Sequence, residues 1–445
     1  MEKIKEPSVA NMFYSADFKV LAEQIKSFEA AKRNKYEYKT RAVISPHAGW
    51  IYSGQLAYEA ISQLDKNVKN VIIFAPSHKM ALEGLALTSY DKWATPFGNI
   101  DINQDVNNIL KDKYNAEFLD EAYSKEHAVE VLVPFVQNLL GDVKIIPVLA
   151  GRENYQKIAA IIDEFYSNKD FGFIISSDLS HFLENKAAKE IDNKTADMIE
   201  AGEYNGFKYE QACGAVGIVG LVDFANQHNY SLIRINLKNS SAATGDTKSV
   251  VGYGAWFLYE GTKNQFIKEY YSDLVVDLCK KSIKSRLNSE QFQIHIDSVF
   301  EEKGACFVTL KKDGRLRGCI GSLLAFRSLA IDLISRAQDA AFRDSRFNPV
   351  TKEEFDSLET DVSILSPSKE IIFKDEQDLL DQIVPYKDGI IIRDGQYQAV
   401  YLPSVWEELP DKVEFLNSLK VKAGLSPFHF SPSFKAFRFE TEYIK

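Results

Sequence analysis

The sequence predicts an α/β protein in two parts: a first with a mostly parallel sheet flanked by helices, and a second of α+β type with an antiparallel sheet. Three observations predict it. Uninterrupted apolar strands alternate with helices up to about residue 260, the pattern of strands buried on both faces. Beyond that point the hairpin signals Asp313-Gly314 and Asp394-Gly395 replace the alternation. Between the two regions, Glu260-Gly261-Thr262-Lys263-Asn264-Gln265 is polar and contains a glycine, as a linker should. The expected domains are therefore 1–262 and 263–445, in keeping with a length of 445 residues.

The elements follow in order. Ala42–Ile44 reads as a short strand leading into the turn SPHAG, and Gln55–Leu64 as a helix. Val71–Ala75 is a strand followed by PSH. Lys144–Leu149 is a strand, Tyr155–Tyr166 a helix, and Phe171–Ser176 a strand followed by SDLSH. Lys186–Glu200 and Gly214–Gln227 read as helices, Tyr230–Leu237 and Val250–Tyr259 as strands. In the second part Phe266–Leu287 and Leu329–Phe342 read as helices. Ala305–Lys311, Gly318–Leu323, Thr360–Leu365, Gly389–Arg393 and Gln398–Leu402 read as strands. Trp406 and Phe415 are expected in a core.

Composition narrows the function. Hydrophobic residues make up 45% and charged residues 26%, which is ordinary for globular protein. A net charge of −10, from 53 basic and 63 acidic residues, argues against a general binder of nucleic acid or anionic membrane. Apolar runs such as Val71–Pro76 are strand-length, far short of the ~20 residues that span a bilayer. The expectation is a soluble, cytoplasmic protein with a small-molecule substrate, no membrane and no nucleic-acid partner. Four cysteines, none in a CxxC pair, are too sparse for a disulfide framework and read as free thiols.

Three of the seven histidines follow a strand by two to five residues: His47 after AVISP, His78 after IIFAPS, and His181 after FIISSDLS. Ligand sites of open α/β sheets lie outside the carboxyl ends of the strands, so these imidazoles should meet at one crevice. Asp178 precedes His181 by three residues and is placed to orient its ring. Glu126, His127 and Glu130 sit where a loop enters an apolar helix. Cys213 lies at the start of a predicted helix, where the dipole favours a thiolate. Two neutral imidazoles and a thiolate make a ligand set for iron, copper or zinc, with positions left open for substrate.

Six motifs carry a resemblance: SPHAGWIYSGQLA (Ser45–Ala57), APSHKMALEGLAL (Ala75–Leu87), ATPFGNIDIN (Ala94–Asn103), EHAVEVLVPF (Glu126–Phe135), SSDLSHF (Ser176–Phe182) and the pair Cys213-Gly214. In order and spacing they resemble the Memo family from about residue 10 to 260. The resemblance implies a fold similar to class III extradiol dioxygenases and a metal site at His47, His78 and Cys213, with Asp178 and His181 close by. Those dioxygenases normally carry glutamate as the third ligand; a thiolate there is softer and itself oxidisable. Further on, GRLRGCIGSL (Gly314–Leu323), AQDAAFRDSRFNPVTKEEF (Ala337–Phe355) and the segments to Leu425 are similar to the AMMECR domain family. Genes for these two domains group with that of a radical S-adenosylmethionine enzyme, in the grouping called AmmeMemoRadiSam, which the resemblance implies as a partner. In the AMMECR motif, Arg317, Arg343 and Arg346 either form an anion-binding cluster with Asp344 and Ser345, or pair with nearby acids. Cys319 between Gly318 and Gly321 has no evident histidine partner.

The function expected is that of an iron-dependent, dioxygenase-like oxidoreductase acting on a small phenolic or catechol-like compound, with Cu or Zn as other metals. His181 is its expected acid/base group, Asp178 the residue that orients it, and Glu126 and His127 contact the ligands or the substrate. The rivals are a zinc hydrolase, and a metal-binding or redox-sensing module that docks partners through the AMMECR part.

Overall fold

A computed structural model describes residues 2–32, 38–152, 155–291 and 296–445 of the chain. The chain divides into two compact units, Met1–Lys263 and Asn264–Lys445.

The first unit is organised by a nine-stranded sheet. At its heart run four parallel strands, in the spatial order Ala42–Ser45, Phe171–Ser176, Asn70–Pro76, Lys144–Ala150. Nearly all their residues are buried, which is why each reads as an unbroken apolar run. The sheet as a whole is mixed rather than mostly parallel. Val250–Tyr259 runs antiparallel to Ala42–Ser45, and Leu85–Leu87 runs antiparallel to Lys144–Ala150. The reason lies in the connections: Ser231–Asn239 returns directly into Val250–Tyr259 as an antiparallel pair, without the helical crossover that parallel strands need. A long shared core backs the sheet, including Phe173, Phe224, Trp256 and Ile218.

Helix Ala215–His228 lies against this core with eleven consecutive buried residues, Ala215 to Ala225. Gly217 and Gly220 let it sit close: a Cβ at Gly220 would fall 2.6 Å from Ile158 Cβ. Two details escape the sequence reading. A wide π-type turn, Trp50–Gly54, precedes helix Gln55–Ile61. Ile4–Lys5, Lys92–Thr95 and Gly98–Asp101 form a small separate sheet, each strand too short to show a period.

The second unit has two antiparallel sheets. Arg315–Gly321, Lys303–Lys312, Leu358–Leu365 and Thr441–Ile444 form one, with Arg327–Ser328 added to Lys303–Lys312. Lys369–Ile371, Lys435–Phe439, Gly389–Asp394 and Tyr397–Tyr401 form the other. Asp313 and Gly314 both take positive φ (51° and 71°), as a two-residue hairpin turn of type I′ demands. In the second hairpin Asp394 is still in its strand, paired with Tyr397, so Gly395-Gln396 makes the turn instead of Asp394-Gly395. Trp406 and Phe415 are fully buried and stacked at 3.6 Å, in the core as expected.

Among the described residues, no helix is long and apolar enough to cross a membrane.

Candidate metal centre

Strands Ala42–Ser45, Phe171–Ser176 and Asn70–Pro76 are neighbours in the sheet, so the segments leaving their carboxyl ends must meet. They deliver His47, the Ser176–His181 segment and His78. The rings of His47 and His78 stand 5.2 Å apart, and that of His127 completes the group at 5.3 and 4.8 Å. Ligand atoms of these three histidines lie within 4.8 Å of one another, a group that could hold a metal ion.

Hydrogen bonds decide which nitrogen each ring offers. The Ser176 hydroxyl donates its one hydrogen to the Ala128 carbonyl at 2.6 Å. It can therefore only accept from His47 Nδ1–H, at 2.7 Å, leaving the lone pair of His47 on Nε2. Glu126 acts likewise on His78: its Oε1 lies 3.0 Å from Nδ1 and its Oε2 accepts the His78 amide at 2.5 Å. An ionised carboxylate only accepts, so Nδ1 carries the hydrogen and Nε2 is free. Burial alone would raise the Glu126 carboxyl; the His127 and His78 rings and the Ala128 amide outweigh it and hold the group well below the usual carboxylate range. His127 Nδ1 lies 3.2 Å from Glu126 Oε1, close enough for electrostatic contact but without the alignment of a hydrogen bond. Phe13 packs on its ring at 4.6 Å.

Cys213 reaches the same place. Its Sγ lies 3.4 Å from His47 Nε2 and accepts the Asp178 amide at 3.3 Å. Gly214 makes this approach possible, since a Cβ there would fall 2.6 Å from the Ser176 carbonyl. At metal–sulfur and metal–nitrogen distances of about 2.3 and 2.1 Å, two donors on one metal stand about 3.1–3.6 Å apart at right to tetrahedral angles. The His47–Cys213 spacing falls inside that range, so the donors fit a soft or borderline metal. The helix start by itself does not make Cys213 acidic. Burial, then the nearby Asp178, pushes its thiol up to about 12 and outweighs the dipole.

Burial also lowers the basicity of His47, with His78 and His127 adding to the effect. His181 is half-buried; burial and then His78 lower its pKa as well. It leaves the carboxyl end of strand Phe171–Ser176, which lies between the strands that carry His47 and His78, and so reaches the same edge of the sheet. The pairing of Asp178 with His181 does not form. The Asp178 carboxyl accepts the amides of His47 and Ala48 and so shapes the turn that carries His47. Burial, against those amides, raises it to about 7.

Glu130 is spent elsewhere. It is buried and accepts from Lys5 Nζ, the Ser8 amide and hydroxyl, the Val9 amide and the Tyr14 hydroxyl, tying the amino-terminal segment to the loop of His127. Ser176, which sets the His47 tautomer, was not singled out by the sequence reading; its place at a strand end beside the histidine motif is the signal that could have found it.

In the second unit the arginines pair with acids. Arg317 grips Glu354 with two bonds, at 3.2 and 2.7 Å, and Arg346 grips Asp344 at 2.9 and 2.7 Å. Arg343 meets Asp339 at 3.1 Å. The other Asp344 role is to accept the Cys319 amide at 2.9 Å, while Thr309 donates its hydroxyl to Cys319 Sγ at 3.2 Å. These bonds hold a strand to a turn.

Comparison with known proteins bears on both units. Residues 5–257 match a family model described as Memo-like protein, and residues 276–444 one described as AMMECR1. A MEMO1 family protein of Methanococcoides burtonii is 32% identical over 269 residues, covering 57% of this chain and 98% of its own length. One from Thermoplasma acidophilum is 31% identical over 271 residues, covering 56% and 97%. Among solved structures, an uncharacterized protein from Pyrococcus horikoshii is 32% identical with a TM-score of 0.36, over 39% of this chain and 89% of its own.

Proposed function

The chain belongs to the Memo family and carries an AMMECR1 domain after it, and from that premise we propose that it is a metal-dependent, dioxygenase-like oxidoreductase of a small phenolic or catechol-like compound. The observation that carries this reading is the donor set. Ser176 and Glu126 leave His47 and His78 each with a free Nε2, and Cys213 lies at metal-sharing distance from His47. His47, His78 and Cys213 would hold the metal, with iron the first choice. His127 is stacked on His78 at an interplanar angle of 26°, so its nitrogens lie in a nearly parallel plane instead of converging on the same point. It is better placed against the substrate. The metal, when bound, supplies oxygen chemistry and a point of chelation for phenolic oxygens.

This chain's own residues do the rest. His181 is neutral at neutral pH because burial and His78 disfavour its proton. It is therefore free to accept a phenolic proton as base and to return it as acid. Asp178 holds the His47 turn and does not need to orient His181. The test is to purify the protein without oxygen, measure its metal content, and screen catechols for ring-opening absorbance. Iron bound at near one equivalent with turnover of a catechol is the expected result. Zinc at that level with no oxygen consumption would favour hydrolysis. The oxidisable Cys213 donor supports a second reading, a redox-sensing module. On that reading, peroxide releases the metal and no phenol is consumed.

A further inference from the structure

Phe182 follows the candidate acid/base His181 directly, and its backbone lies where a bulky residue is out of place. Its φ is +57°, in the left-handed region. Asn11, Asn115, Asn229 and Asp313 also occupy that region, with side chains that favour it, and Ser289 and Tyr386 occupy it in turns, whereas Phe182 does so inside a strand, His181–Leu183. Phe182 is also 76% exposed, so packing does not explain why a glycine or asparagine is not there.

The strand pairing shows how the conformation arises. His181 pairs with Val251 and Leu183 with Val250, so Phe182 is the extra residue of a bulge. In an unbroken strand neighbouring side chains point to opposite faces. Here the His181 and Phe182 rings lie 5.8 Å apart, so the bulge has turned Phe182 to the side of His181. A strained, solvent-facing aromatic ring beside an imidazole of the metal crevice is an outlier of the kind that points to ligand contact.

We propose that Phe182 is the aromatic wall of the substrate site, stacking on a planar ring whose oxygens face the metal donors. This rests on the functional reading above and assigns the residue that contacts the substrate's ring. The ligands for the test are benzohydroxamate and acetohydroxamate, which chelate through the same two oxygens but differ by the ring. Binding to iron-loaded protein, prepared without oxygen, is measured by calorimetry for wild type, F182G and F182Y. Melting temperatures are measured on the metal-free proteins.

The expected result is that F182G weakens benzohydroxamate by about tenfold, the scale of one lost ring contact. Acetohydroxamate should bind unchanged, F182Y should bind both ligands like wild type, and F182G should melt no lower than wild type because glycine relieves the backbone. Equal benzohydroxamate affinity in wild type and F182G would overturn the wall alone. So would equal loss of both ligands, or a lower melting temperature for F182G, since either would mean that Phe182 serves packing. If the iron-loaded wild type bound neither chelator, the metal would have no open positions, and the functional reading would fall together with the wall.

Discussion

His47 and His78 are each oriented by a single neighbour, and this makes the individual residues testable. Ser176 gives His47 its tautomer, so Ser176→Ala should weaken metal binding by roughly 10–100-fold, as loss of a ligand's outer partner does. A competition titration against a chelator measures it; unchanged affinity would mean that the hydroxyl does not set the ring. The choice between Cys213 and His127 as third donor is equally sharp. His47→Ala, His78→Ala and Cys213→Ala should each lower metal content in elemental analysis, while His127→Ala keeps most of it. Metal retained in Cys213→Ala but lost in His127→Ala would make the three-histidine group the true site. His181→Ala should keep the metal and slow turnover by about 10²–10⁴-fold.

At the scale of elements, the closeness of helix Ala215–His228 to its neighbours is what brings Cys213 to the strand ends. Gly220→Ala tests it with an unambiguous sign. In an open helix that change would stabilise by up to about 1 kcal/mol. Here the new methyl would fall 2.6 Å from Ile158 Cβ and Cγ2, inside van der Waals contact. Overpacking of that kind costs roughly 1–3 kcal/mol, so the expected outcome of denaturant unfolding is net destabilisation. A stabilised Gly220→Ala would show that the helix has room to withdraw. The bulge at Phe182 is the opposite case, an element whose irregularity faces solvent and not the core.

At the scale of the whole molecule, one buried ion pair links the amino terminus to the site. Lys5 Nζ meets Glu130 at 2.9 Å, with both side chains about 5% exposed or less. Burial raises the Glu130 carboxyl, but Lys5 and the Ser8 and Val9 amides outweigh it and hold it below its ordinary value near 4.5. A carboxylate depressed in the folded state contributes stability that is fully present above about pH 4.5 and is lost as pH falls through its folded value. Glu130→Gln should therefore flatten the acid limb of the stability curve. At neutral pH it should cost about 3–5 kcal/mol, because Lys5 is left buried without its counter-charge. Melting curves from pH 3 to 7 test both parts; an acid limb as steep as wild type would assign acid lability to other carboxylates. Separately, expression of 1–263 and 264–445 should yield two folded fragments, with the metal in the first. Insoluble fragments would overturn that division.

What the sequence determined by itself was local or periodic. Unbroken apolar runs marked the four central strands, because burial on both faces leaves no polar position to confuse the pattern. Histidines just past strand ends marked the crevice, because parallel strands align those ends on one edge. The hairpin turns were legible through glycine's freedom at positive φ. The tertiary structure alone decided what depends on contacts between distant segments. Asp178 serves the His47 turn, 131 residues away, and not its near neighbour His181. Ser176 and Glu126 choose the tautomers across the sheet. Arg317 and Arg346 pair with acids that only folding brings to them or orients. A charge or hydrogen-bond donor shows its type in the sequence, but its partner is fixed by which groups burial leaves within reach, and that is a property of the packed fold.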